Sequence, residues 1–475
     1  MPARTPLTTD QLARFTAIVG EKYALTAPED QAAHLVERRG LYQGATPLVL
    51  KPGSTSEISR IMTLATELKQ PVVPQGGNTG LVGGQIPFEQ GSEIVLSLSR
   101  LDEIRSVDAV GNTLIAEAGV TLAAIQEQAE LNNRLFPLSL ASEGTCQIGG
   151  NLATNAGGMQ VLAFGNARDL CLGLEVVLAD GRIWNGLRTL RKDNTGYDMR
   201  DLFIGSEGTL GIITAASLKL FPKPAELATA FVGLAELDQV ALFFLKTQET
   251  AANALTRFEL MPRLGIDLVL RHAEGSRDPL DKPHPWYVLL EISGHSSDNR
   301  ANQQMMHVLE AAMDEGTIND AAVATSAAQE SEFWSLRERL SDVQGLEGGS
   351  IKNDIAVPVA DVPGFIRTAG ARIEKLVPGA RPVPFGHFGD GNIHYNISQP
   401  VGMAKEEYLA RWDDVTEAVN EVVLGFNGTV SAEHGIGRMK QHLMPKIKSP
   451  VELAMMRTIK QAFDPLGILN PGKIL

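Results

Sequence analysis

Three stretches rich in glycine and small polar residues, "PQGGNTGLVGG" (74–84), "ASEGTCQIGGNLATNAGG" (141–158) and "GSEGTLGIIT" (205–214), interrupt apolar, strand-like sequence. Residues without a Cβ let backbone N–H groups approach and surround an anion, so three such loops point to a cradle for a pyrophosphate. One alone reads as a plain turn. Two common nucleotide loops are excluded, since "QGGNTGLVGG" does not fit G-x-G-x-x-G and no G-x-x-x-x-G-K-[ST] occurs.

The sequence between these loops reads as mixed α and β. "LVL" (48–50) is a strand, Ser54 and Glu57 form a capping box, and Ile58, Ile61, Met62, Ala65 and Leu68 recur at helical spacing before the strand "PVVP" (71–74). A capped helix follows at 121–134, and "LEVVLADGRI" enters a hairpin at Asp180-Gly181. From about 225 to 320 short strands, "WYVLLEIS" the clearest, alternate with helices; the boundary before them falls in "FPKPAEL". "SEFWSLRERLSDV" is a further helix, and "SIKNDIAV" and "NIHYNIS" are strands.

At 475 residues the chain exceeds one hydrophobic core, so two or three domains are expected. A formal charge of −14 argues against nucleic acid and anionic membrane surfaces as partners, and any anionic substrate must meet locally placed cations. Cys146 and Cys171 are too few for a disulfide framework and read as buried thiols. The opening "MPARTPLTTDQLARF" has neither the apolar run of a secretory signal nor the character of a transit peptide, and no apolar stretch is long enough to span a bilayer. A cytoplasmic location is expected.

"PFGHFGDGNIHYNIS" (384–398) and "SAEHGIGR" (431–438) carry the candidate chemistry. Asp390-Gly391 can reverse the chain and bring the strand of His394 alongside the one that ends at His387. Alternation puts His394 and Asn396 on one face while Ile393, Tyr395 and Ile397 point into the core. Two imidazoles need one carboxylate for a three-ligand cation site with an open position, and Glu433 is the candidate; His434, pointing the other way, is then available for proton transfer. Packed structural histidines are the alternative reading of the same residues.

The three loops, together with "DNTGYDMRDLFIGSEGTLGIIT" and the closing "FDPLGILNPGK", resemble the FAD-linked oxidoreductases of the vanillyl-alcohol oxidase / p-cresol methylhydroxylase type, from about residue 40 to the C-terminus. The resemblance implies an α+β chain: an N-terminal helical segment (1–40), a two-part FAD-binding domain (41–222), an α+β substrate (cap) domain with an antiparallel sheet (223–425), and a C-terminal segment (426–475) that completes the sites. Implied FAD contacts are Pro74, Gln75, Gly76, Gly77, Asn78, Thr79, Gly80, Gly83 and Gly84 in the first loop. Ser142, Gly144, Gly149, Gly150, Asn151, Thr154, Asn155 and Gly157 match the second, Gly208, Gly211 and Ile212 the third, and Asn470 closes over the cofactor. Asn78 stands where covalently flavinylated relatives have histidine, so FAD should be held non-covalently.

Within that family, "GHFGDGNIHYN" and "AEHGIG" are similar to segments of D-2-hydroxyacid dehydrogenases, nearest to those acting on D-2-hydroxyglutarate. Carried over, His387, His394 and Glu433 bind a divalent metal, with zinc suited to a His₂Glu set and Mn²⁺ or Fe²⁺ also compatible with these ligand types. His434 becomes the catalytic base, and Asn396 orients substrate. Arg337, Ser341 (where close relatives have Thr) and Lys352 hold the distal carboxylate. The expected reaction is oxidation of a D-2-hydroxyacid to the 2-oxoacid, with D-lactate or glycolate as the rival substrates. Expected partners are the hydroxyacid and an electron-transfer flavoprotein or quinone as acceptor, with a homodimer as the assembly. A flavin-free metallohydrolase using the same ligands is the alternative of another class, and a non-catalytic flavin-binding protein a third; the purified protein's colour and its bleaching by hydroxyacid separate them.

Overall fold

A computed structural model describes residues 6–475. The first five residues of the opening stretch lie outside the described residues. The chain divides into two compact units. The first holds the described residues up to Gly157 with Gly165–Lys223 and Glu433–Leu475, and the second holds Gly158–Phe164 and Pro224–Ala432. These units do not follow the four expected segments one to one. The N-terminal helices and the chain end both belong to the first unit, and a short piece of the second Gly-rich region's flank, 158–164, belongs to the second.

In the first unit, helix Thr55–Leu68 begins where Ser54 Oγ accepts the N–H of Glu57. The expected capping box is only half made, because the Glu57 carboxylate turns to the Gly53 N–H (2.7 Å) instead. Ile58, Ile61, Met62 and Ala65 on its inner face are fully buried against Leu50, Val72, Ile94 and Leu96, each large side chain contributing about 1.5–3 kcal/mol. The flanking strands Val49–Leu50 and Val72–Gln75 are parallel but not neighbours. Ile94–Ser97 lies between them, and Ala24–Leu25 adds an antiparallel edge. A separate five-stranded antiparallel sheet runs in the order 104–108, 113–117, 212–219, 171–177, 183–186. Its last pair is the expected hairpin, with Gly181 at φ 85°.

The chain end is stitched into this unit. Leu469 bridges Val72 in parallel, and Ile468 and Leu469 are fully buried in the same core. Asp464 accepts the N–H groups of Ile468 and Leu469 (3.0 and 2.8 Å), while Lys460 Nζ donates to Asp464 and to the carbonyls of Thr209 and Leu469.

The second unit is built on an eight-stranded antiparallel sheet ordered 320–323, 226–234, 286–294, 255–262, 381–387, 392–398, 350–351, with 354–356 also pairing on 392–398. Two corrections to the sequence reading arise here. "SIKNDIAV" is two short strands broken at Lys352-Asn353, and "SEFWSLRERLSDV" is two helices, Ala327–Glu338 and Leu340–Val343, meeting at Arg339. Phe333, Trp334 and Leu336 pin the first helix into a core with Phe231, Tyr287 and Phe385.

Cys146 and Cys171 are 1% and 0% exposed, and burial raises both thiols, Cys171 to about 12. Neither is expected to react with a thiol reagent at neutral pH until the chain unfolds. Mass counting of labelled thiols with and without denaturant checks this, and rapid labelling of the native protein would refute the packing.

Candidate active site

The first unit contains a cavity whose wall is made by the three Gly-rich segments. Residues 74–80 and Gly84 contribute from the first, Gly149, Gly150, Asn151 and Thr154 from the second, Gly208, Gly211 and Ile212 from the third, and Asn470 from the chain end. Gly83, Ser142, Gly144, Asn155 and Gly157 stand off this wall. Gly83 turns the first loop over the Tyr42 ring, and the Asn155 carboxamide oxygen is used by the Arg168 N–H (3.0 Å). Val82, Gln85, Leu98, Gln147, Ala153, Glu207 and Ile213 line the cavity without having been named as contacts from the sequence, and His434, expected as the base, lines it too.

Only glycine fits at 77, because a Cβ there would sit 2.0 Å from the Thr145 carbonyl oxygen; the first and second segments touch backbone to backbone. At Gly150 a Cβ would meet no atom of another segment within 4 Å, so the wall is open there. Four carboxamide oxygens in the wall, of Asn78, Gln147, Asn151 and Asn470, are buried without a hydrogen-bond partner. Buried acceptors are seldom left unmet, and a ligand bearing N–H and O–H donors satisfies them. FAD offers these donors on its ring and ribityl chain, so the residues fit it. Asn78, Glu207 and Asn470 all hold left-handed backbone (φ 55°, 50° and 40°), an uncommon conformation outside glycine that gathers here at one wall.

Glu207 was not found by sequence. Burial raises its carboxyl against the pull of two backbone donors, the N–H groups of Ile436 and Gly437 at 2.7 and 2.8 Å. It thereby fixes the turn that follows His434, where a Cβ on Gly435 would strike its Oε1 at 2.6 Å.

The second unit carries His387, His394 and Asn396 on one sheet face, with Arg337, Ser341 and Lys352 on other elements of the same unit. The chain reverses through Phe388–Asp390 and Gly391 (φ 80°), pairing Phe385 with His394 and His387 with Asn392. The His387 and His394 rings lie 5.4 Å apart, centroid to centroid. Each meets an acid on the adjoining strand. Glu259, directly opposite His387 in register, takes its Nδ1 at 2.6 Å, and Asp354, opposite His394, lies 3.9 Å from Nδ1. Asn392 Nδ2 donates to Asp354 (3.0 Å).

Arg337 is buried, and its Nε donates to Glu259 on the sheet at 2.6 Å. Burial by itself would raise Glu259, but His387 and Arg337 beside it hold the carboxyl down at about 2. Lys352 Nζ donates to the carbonyl and hydroxyl oxygens of Ser341, both at 2.9 Å. Asn396 is buried on the His394 face, with its Nδ2 donating to Gln344 (2.9 Å). Glu433 and His434 belong to the first unit, immediately after the last residue of the second.

The family model "FAD linked oxidases, C-terminal domain" matches residues 223–474, and "FAD binding domain" matches 46–186. The chain is 37% identical to D-2-hydroxyglutarate dehydrogenase, mitochondrial, of Bos taurus over 98% of this chain and 83% of that one. It is 34% identical to the Arabidopsis thaliana protein of the same name over 100% and 83%. The D-2-hydroxyglutarate--pyruvate transhydrogenase of Saccharomyces cerevisiae is 35% identical over 99% and 95%. Among solved structures, p-cresol methylhydroxylase superposes with a TM-score of 0.76 at 16% identity, covering 99% of this chain and 98% of that one. Among the described residues no helix is long and apolar enough to cross a membrane. The chain belongs to the FAD-linked oxidases, flavoenzymes of the vanillyl-alcohol oxidase / p-cresol methylhydroxylase fold.

Proposed function

We propose that the protein oxidises a D-2-hydroxyacid, D-2-hydroxyglutarate foremost, to the 2-oxoacid. The observation that carries this is His434, an imidazole in the wall of the cavity whose unmet acceptors fit FAD. The names of the relatives at 34–37% identity support the choice of substrate.

His434 takes the hydroxyl proton of the substrate on an imidazole nitrogen as general base. The turn that carries it is held by Glu207, which limits its drift from the cavity. The chemistry bound FAD would supply is acceptance of the Cα hydrogen as hydride, and Asn78, Gln147, Asn151 and Asn470 would hold it without a covalent bond. His387, His394 and Glu433 would hold a divalent cation, zinc by ligand type, and the chemistry it would supply is acidification of the substrate hydroxyl. Two adjacent imidazoles, each with Nδ1 toward a carboxylate, fit the outer-sphere pattern of such sites. Arg337, Ser341 and Lys352 meet the distal carboxylate, and Asn396 orients the substrate. Turnover would require a separate two-electron acceptor, an electron-transfer flavoprotein or a quinone.

Lys352→Ala separates a dicarboxylate from a short substrate. KM for D-2-hydroxyglutarate is expected to rise by roughly tenfold or more, the loss of one charge-assisted hydrogen bond, while D-lactate turnover stays near wild type. A wild-type preference for lactate with a neutral Lys352→Ala would replace the dicarboxylate by lactate or glycolate.

A further inference from the structure

One buried carboxylate serves two parts of this site. Glu259 is 0% exposed, and its two oxygens are divided between elements far apart in sequence: Oε1 on His387 Nδ1 and Oε2 on Arg337 Nε, each at 2.6 Å. The Arg337 guanidinium lies 4.8 Å over the Phe385 ring, the Phe385 ring lies 5.3 Å from His394, and His394 stands 5.4 Å from His387. These contacts close a circuit from the histidine pair through Glu259 to Arg337 and back.

We propose that Glu259 is a positioning residue that makes cation affinity and affinity for the substrate's distal carboxylate depend on each other. This rests on the metal reading above. A carboxylate on Nδ1 fixes the tautomer of His387 so that Nε2 is its ligating nitrogen, and raises the ring's basicity toward a cation. The same carboxylate grips Arg337 by Nε, which fixes the plane of the guanidinium and aims its Nη edge for a two-point grip on an anion. A cation on His387 strengthens the Nδ1–H bond and draws the Glu259 charge toward the imidazole. Arg337 is then less neutralised and attracts a carboxylate more strongly. By linkage, a bound dicarboxylate must tighten the cation by the same factor.

The test uses FAD-loaded protein stripped of metal, with zinc affinity measured by competition against a chromogenic chelator, with and without glutarate, a dicarboxylate that lacks the reacting hydroxyl. In wild type, glutarate is expected to tighten zinc by about fivefold or more. In Glu259→Gln, zinc is expected to bind about 10- to 100-fold more weakly, and the glutarate effect to vanish. Unchanged zinc affinity, or a glutarate effect as large as in wild type, overturns the proposal. Should Glu259→Gln fail to fold, Glu259→Asp keeps the buried charge but shortens its reach, and zinc weakened about tenfold with normal FAD content is the expected result; zinc as tight as in wild type overturns it. Wild-type protein whose zinc affinity is the same as that of His394→Ala would instead refute the metal site on which the proposal stands.

Discussion

Gly77→Ala is expected to yield a folded but nearly colourless protein. The added methyl must enter space 2.0 Å from the Thr145 carbonyl oxygen and 2.9 Å from its carbon, both backbone atoms that have no rotamer to escape into. The first loop must move off the second, carrying Gly76, Asn78 and Thr79 away from the cavity wall they share. Overpacking of this kind costs about 1–3 kcal/mol, roughly one to two decades of cofactor affinity. Core strands of the unit do not depend on that contact, so circular dichroism should change little while the FAD-to-protein absorbance ratio collapses. Full flavin occupancy in Gly77→Ala would mean that the two segments do not close on the cofactor together.

His434→Gln separates the base from the cradle. The substitution leaves Asn78, Asn151 and Asn470 in place, so the protein should remain yellow, and the rate of flavin reduction by D-2-hydroxyglutarate is expected to fall by about 100- to 10,000-fold. A base that must be unprotonated gives the wild-type enzyme an acid limb in kcat/KM, with activity lost as pH falls. The variant should lack that limb, whereas a change that only loosened packing would lower rates at every pH without altering the profile. Retention of the limb in His434→Gln would assign the proton to another group.

How much of this was legible in the sequence depended on how local the signal was. The alternation of "NIHYNIS", the Gly391 turn and the three glycine loops are each written within fewer than twenty residues, and they foretold the hairpin that sets His387 beside His394 and the loops that line the cavity. Glu259 and Glu207 were not found, because the partners that define their use lie far away in sequence. Glu259 acquires its role only through strand register with a residue 128 positions away, and Glu207 by reaching N–H groups 229 and 230 positions on. Sheet order was not legible for the same reason, since the place of Ile94–Ser97 between the parallel strands Val49–Leu50 and Val72–Gln75 is a pairing choice made across the fold. The break at Arg339 has no proline or glycine to announce it. Arg337 was singled out as a substrate anchor, yet the carboxylate it already holds could be seen only once the sheet and helix were in place.

The most direct test of the central reading is anaerobic mixing of the purified yellow protein with D-2-hydroxyglutarate, following the visible flavin band with and without prior chelation. Loss of the band with formation of one 2-oxoacid per flavin, selective for the D isomer and abolished by the chelator, is the expected result. A band untouched by D-2-hydroxyglutarate, D-lactate and glycolate alike, in protein that holds FAD, would contradict it.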